Sequence, residues 1–225
     1  RITYVRTARP RARSSGSLRA FGTVRSVAQS GQVLHTPRIE VLISSSRDLP
    51  KRSRTFLNDL SYVVPSSLRL NRGRTSLKEI FTKARKLGAS KVLILVTKRG
   101  NPSILFLFST SGELLGYLMI AGVKLSTDMR ITRKELLELL KDAKSFCIKE
   151  SECPIVSSFL TDLGYTLGSE CDVTAEIRTM DDLCVVRFLH KSSLMLPPEI
   201  RLRLDEGNDS IYKWGISLIS ESVKG

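Results

Sequence analysis

Lys91-Val-Leu-Ile-Leu-Val-Thr97 sets the strongest limit on the fold of this chain. Successive side chains of a strand point to opposite faces, so an unbroken apolar run has no face to offer water. Such a strand belongs inside a sheet with helices packed on it, which places the chain in the α/β class. The segments upstream supply the helices. Phe56, Leu57, Leu60, Val63 and Val64 fall at helical spacing with Arg54, Asn58 and Ser61 opposite, and Pro65 stops the run. Ser76-x-x-Glu79 is a capping box, Leu77, Ile80, Phe81, Ala84 and Leu87 form an apolar stripe, and Gly88 sits at the C-terminal cap. Short strands are expected at Ile39–Ser44 and around Leu68 and Leu70, and Gly100-Asn101-Pro102 is read as a turn. Ile104–Ser109 and Leu114–Val123 then make a hairpin, so that the order β-α-β-α-β-β-β closes a first lobe near Lys124.

A second α/β lobe is expected over 125–225. It opens with the capping box Thr132-x-x-Glu135 and a helix bearing Leu136, Leu137, Leu139, Leu140 and Ala143, and continues with a helix from Pro154 to Gly164. Strands are expected at Val173–Thr179, Leu183–His190, Glu199–Leu204 and Tyr212–Ile219, with Asp181-Asp182 in a hairpin turn. Residues 1–36 hold seven Arg, four Ser before Gln29 and no acid, with no apolar period. They read as a basic flexible tail that contacts RNA or is merely solvated; a targeting peptide has the same composition.

Charge narrows the partners. The net charge of +14 is not spread evenly. Residues 1–85 carry 18 Lys and Arg against Glu40, Asp48, Asp59 and Glu79, whereas 86–225 carry 18 of each sign. One end therefore holds the whole excess, the asymmetry of a polyanion-binding face. No apolar run approaches the ~20 residues of a membrane span, so a soluble protein is expected. Arg47, Lys51, Arg52 and Arg54 lie between the first strand and the first turn of the following helix, where free amides and the helix dipole already favour an anion. Arg69, Arg72 and Arg74 leave the second strand; Lys98, Arg99 and Asn101 follow the third. If these strands run parallel, the three clusters emerge along one carboxyl edge, where open α/β sheets bind ligands. A band of basic loops suits a phosphodiester backbone better than a small metabolite, and each Arg is expected to be exposed.

Catalytic chemistry is poorly provided for. His35 and His190 stand alone, Gly73-Arg74-Thr75-Ser76 lacks the first glycine and the lysine of a phosphate loop, and Asp181-Asp182 needs only a turn. No enzyme, cofactor or metal is expected. Cys147, Cys153, Cys171 and Cys184 match no common zinc spacing and are read as reduced, buried thiols of a cytosolic protein. Phe106, Phe108 and Trp214 are assigned to core packing, since the aromatic motif of an RNA-recognition domain is absent.

The ordered series Ser44-Ser-Ser-Arg47, Arg52-Ser-Arg54-Thr-Phe56-x-Asn58-Asp59-Leu60, Val64-Pro65, Asn71-Arg72-Gly73-Arg74-x-Ser76-Leu77-x-Glu79 and Gly100-Asn101-Pro102 resembles the Brix domain of ribosome-biogenesis factors, in its single archaeal form. The resemblance implies a domain from near Pro37 to near Leu204, built of two α/β halves similar to the anticodon-binding domain of class IIa aminoacyl-tRNA synthetases. It also implies binding of ribosomal RNA precursor, with Arg47, Arg52, Arg54, Arg72 and Arg74 on phosphate and Asn58 and Asn101 on sugar or bases. Gly73 and Gly100 would shape the backbone, and Phe56 and Leu60 would pack. Asp59 could cap a helix, orient an Arg or be solvated. The neutral second half is the place for a protein partner or for closing an RNA cleft. The alternatives from the residues are a basic scaffold on an acidic protein, or a binder of tRNA or another structured RNA. The expected location is the cytoplasm, or the nucleolus if the source is a eukaryote.

Overall fold

The computed structural model describes residues 38–47 and 49–203. The expected tail, His35, the strand at Tyr212–Ile219 and Trp214 lie outside the described residues. In chain order the elements begin with β1 (Val41–Ser45), α1 (Lys51–Val63), β2 (Ser67–Arg69), α2 (Leu77–Lys86), β3 (Lys91–Lys98), β4 (Asn101–Ser109) and β5 (Leu114–Lys124). They continue with α3 (Ser126–Met129), α4 (Arg133–Leu140), β6 (Phe146–Ser151), α5 (Pro154–Asp162), β7 (Thr166–Leu167), β8 (Val173–Met180), β9 (Leu183–His190) and β10 (Met195–Arg203).

All ten strands form one sheet, in the order β2-β1-β3-β4-β5-β10-β9-β8-β6-β7. Two lobes with a sheet each were expected; instead β5 and β10 pair antiparallel, Lys124 opposite Glu199, and make the sheet continuous. The strand order is nonetheless doubled. β1 lies parallel between β2 and β3, and β4 and β5 follow antiparallel. In the same way β6 lies parallel between β7 and β8, and β9 and β10 follow antiparallel.

The apolar run behaves as its composition requires. Val92 to Val96 are all buried, with Leu93 and Leu95 in one core and Val92, Ile94 and Val96 in the other. The first core runs the length of the sheet beneath α1, α4 and α5, joining Phe56, Leu60, Leu136, Val156, Phe159 and Phe188. The second lies under α2 alone and holds Leu77, Ile80, Phe81 and Ala84 against Leu42, Phe106 and Phe108. Phe106 and Phe108 are therefore core residues, as expected.

Both capping boxes form: Ser76 with Glu79 and Thr132 with Glu135, each hydroxyl accepting the amide and each carboxylate accepting in return. The α4 stripe is narrower than its leucines suggest, for Leu136 is buried and Leu137 is 48% exposed. The turn between β3 and β4 falls on Arg99-Gly100, both at positive φ, so Asn101 begins a strand rather than occupying the turn. The hairpin turn at Asp181-Asp182 is formed as read, again with both residues at positive φ. The expectation of reduced thiols is corrected: Cys147–Cys171 and Cys153–Cys184 are disulfides with Cα separations of 6.0 and 6.3 Å. Distance along the chain carries no information about this pairing, because the fold sets β6 beside the loop before β8 and the start of α5 beside β9, joining residues far apart in sequence. No helix among the described residues is long and apolar enough to cross a membrane.

Candidate nucleic-acid interface

β1, β2 and β3 run parallel, so their carboxyl ends share one edge of the sheet. The loops leaving them are also tied to one another. Arg72 of the loop after β2 donates through Nη1 to the carbonyl of Ser45 at the end of β1, 3.3 Å away, and through Nε to Thr75 O at 3.0 Å. Ser53, in the first turn of α1, donates to the carbonyl of Gly100 in the β3–β4 turn at 3.2 Å. Gly100 lies at φ +86°, a region that side chains rarely adopt, and this tight turn presents Lys98, Arg99 and Asn101 as exposed neighbours of α1. The amino end of α1 follows Pro50, has no side-chain cap and carries no acid in its first turn, so its free amides add to the positive potential of Lys51, Arg52 and Arg54.

The candidate residues differ in what they already hold. Arg47, Lys51, Arg74, Lys98 and Arg99 are exposed. Arg52 is exposed but engaged, pairing with Asp128 at 3.1 Å and donating to Val123 O at 3.1 Å. Arg72 is not exposed as expected: it is half-buried, and burial together with nearby Arg47 lowers its pKa. These two arginines fasten the edge as well as facing it.

A second group lies along the outer side of α1. Arg69 donates to Asn58 Oδ1, and to Asn71 Oδ1 at 2.7 Å. Its Nε is buried with no hydrogen-bond partner among the described residues. Burial lowers the Arg69 pKa, and the charges of Arg54 and Arg133 lower it further, so three guanidinium groups crowd together here. Arg133, at the start of α4, also donates to the Tyr62 hydroxyl at 3.0 Å. Repelling cations of this kind are relieved by an anion that accepts from several at once. Sequence reading missed Arg133 and Tyr62, which no motif marks and only the packing of α4 beside α1 brings in.

Asp59 does not join the cations. It is buried and accepts the Ser126 amide at 2.8 Å, which caps α3; burial raises its pKa against that hydrogen bond. The matching edge of the second half, after β6 and β8, carries Glu152, Asp181 and Asp182 instead of arginines.

Fold and site together define a class: a doubled α/β unit on one continuous sheet, with a basic carboxyl edge on its first half. Comparison places the chain within that class. No family model matches the sequence. A relative from Sulfurisphaera tokodaii, described as a probable Brix domain-containing ribosomal biogenesis protein, is 36% identical over 179 residues, covering 77% of this chain and 97% of the relative. Two solved structures share the fold. A probable ribosomal biogenesis protein from Aeropyrum pernix K1 has a TM-score of 0.60 at 23% identity and covers 73% of this chain and 96% of its own. The archaeal Imp4-like protein Mil has a TM-score of 0.56 at 20% identity, covering 73% and 97%. The chain belongs to the Brix domain-containing ribosomal biogenesis proteins.

Proposed function

We propose that this chain is a non-enzymatic ribosome-biogenesis factor that binds ribosomal RNA precursor through the basic edge of its first half and assists rRNA processing and subunit assembly. The observation that carries the reading is the joining of three basic loops on one edge by the Ser45–Arg72 and Ser53–Gly100 hydrogen bonds. A pre-organised row of cations contacts successive phosphates without reordering the loops, and such contacts fix position on a nucleic acid while leaving sequence to other groups. Arg47, Lys51, Arg54, Arg74, Lys98 and Arg99 are the phosphate ligands in this reading, with Arg52, Arg69 and Arg72 shared between RNA and the fold. Asn101 is placed for sugar or base contact; Asn58, held by Arg69, orients it.

Residues 37–124 and 125–225 are the two halves of one Brix domain in this account, and the doubled strand order supports their likeness to class IIa anticodon-binding domains. The seven Arg of the N-terminal 36 residues add to the positive charge offered to RNA. Other assembly proteins dock on the second half, and the protein works in the cytoplasm of an archaeon or the nucleolus of a eukaryote. No cofactor or metal enters the account.

Crosslinking RNA to the protein in cells and sequencing the attached fragments tests the reading. Precursor rRNA joined to peptides from residues 47–54, 69–74 and 98–101 is the expected result. Crosslinks confined to tRNA, or to the opposite edge of the sheet, would refute it.

A further inference from the structure

The doubled strand order allows one half to be compared with the other. In the first half α2 covers the face opposite the larger core. In the second half only a five-residue loop, 168–172, separates β7 from β8 at the corresponding place. Among the described residues α2 is the one helix on this face of the sheet, and no described element covers it from β10 to β6.

Its composition differs from that of the half that bears it. Residues 125–203 contain 11 Lys and Arg against 13 Asp and Glu, which is close to neutral. Yet side chains alternating with the core positions of β5, β10, β9, β8 and β6 place Lys124, Arg201, Arg203, Arg187, Arg178 and Lys149 on the open face, against Glu176 and Glu199. Glu150 also reaches this side, pairing with Arg178 at 3.2 Å, and Asp181 borders it beside Leu183, so the six cations keep a surplus over four acids that the near-neutral total hides.

Glu199 organises the centre of this face. Its carboxylate is buried, with a side chain 5% exposed, and takes Arg187 Nε on one oxygen at 2.9 Å. The other oxygen takes Arg201 through Nη2 at 3.3 Å and Nε at 3.4 Å. One buried charge thus fixes two guanidinium groups side by side, both partly exposed, with a surplus positive charge and N–H groups left over. Val185 pairs with Arg201 on one side and Arg178 on the other, which sets these two arginines roughly 10 Å apart across two strand spacings. A shallow cleft of about 130 Å³, floored by Leu183 and Val185, opens beside Arg187 and Arg201, with Asp181 and Met180 on its far side. The face also meets the basic edge: Lys124 pairs with Glu199, and the carbonyl of adjacent Val123 accepts from Arg52 at 3.1 Å.

We propose that this helix-free face is a second RNA contact surface, on which Arg178, Arg187, Arg201 and Arg203 hold the phosphodiester backbone and Glu199 is the positioning residue for the Arg187–Arg201 pair. The inference rests on the RNA-binding reading above and extends it to the half whose net charge gives no sign of it. RNA is favoured over a protein because the face presents arginines over a small apolar floor, with no aromatic side chain among the described residues to anchor a protein interface.

The test uses the full chain and a fluorescent 30-nucleotide RNA stem-loop with single-stranded flanks, titrated at several salt concentrations. R178A/R203A, which leaves the Glu199 cluster intact, and R187A/R201A should each weaken binding about tenfold and flatten the salt slope, while K141A/K144A should change it less than twofold. E199Q removes a negative charge, so simple charge counting demands tighter binding; the positioning role demands weaker binding. If the unaltered chain binds RNA and R178A/R203A binds it like the control, the second surface is refuted and the basic edge stands. If the unaltered chain fails to bind, the RNA reading itself is refuted. Polyglutamate competing as well as unlabelled RNA at equal charge would assign the face to an acidic protein and overturn the proposal.

Discussion

Arg72 illustrates how a side chain chosen for charge becomes part of the scaffold. Its two hydrogen bonds go to the carbonyls of Ser45 and Thr75, so it closes the loop after β2 onto the end of β1. R72A should therefore destabilise the fold by about 2 kcal/mol, the range for hydrogen bonds from a charged donor, whereas R74A, exposed, should stay within about 0.5 kcal/mol. Urea unfolding of the two variants separates these outcomes. Asp59 makes a prediction about pH. Its folded pKa is raised by burial, so its ionisation opposes folding, and that penalty grows as pH rises above the ordinary Asp value of about 3.9. Asn keeps an oxygen for the Ser126 amide without the charge. D59N should match or exceed the wild type in melting temperature at pH 7, with the advantage shrinking toward pH 3; an advantage that instead grows on acidification would contradict the assignment.

At the level of elements, what could be read from sequence divides according to how local the cause is. α2 was legible because its capping box, apolar stripe and terminal glycine all lie within 13 positions, Ser76 to Gly88, although Leu87, read as part of the stripe, caps the helix and is 42% exposed. S76A and T132A should each cost about 1 kcal/mol in thermal or urea unfolding, as loss of an N-cap does. The convergence of the basic loops rested on the condition that β1, β2 and β3 run parallel, which their pairing meets. β6 was not legible, since only Cys147 and Ile148 are buried in a six-residue strand with a charged end, and β7 is too short to show a period. β10 begins at Met195, before the Pro197-Pro198 pair where a strand would be expected to stop, because the register breaks between Leu196 and Ile200 and frees those positions from the ladder. The disulfides belong to tertiary contact, with no local signature. Closing loops of 24 and 31 residues, they are worth about 3.5 kcal/mol each on the chain-entropy account. Adding reductant should lower the melting temperature by well over ten degrees; an unchanged melting curve would show that the thiols are not paired in solution.

For the molecule as a whole, the informative quantity is where charge sits once the chain has folded. The sequence puts the excess toward one end, and among the described residues strand polarity brings Arg47 to Arg54, Arg69 to Arg74 and Lys98 to Arg99 to one edge. The same sequence made the second half look neutral, because alternation along β8, β9 and β10 sorts its charges by face, and no count along the chain can see a face. The pairing of β5 with β10 was hidden for a related reason: two edges that meet through backbone groups leave no mark in side-chain pattern. The central claim is that the three joined loops grip an RNA backbone, and Arg47, Arg74 and Arg99 are its cleanest probes, being exposed. The most direct measurement is RNA affinity as a function of salt for the unaltered chain and for the triple variant R47A/R74A/R99A, with unfolding followed in parallel. The account predicts an unchanged melting temperature, weaker binding, and a slope of log K against log salt that is shallower by about 2, near 0.7 for each single-strand phosphate that the variant no longer neutralises. A folded triple variant that binds RNA with the affinity and salt slope of the unaltered chain would contradict it.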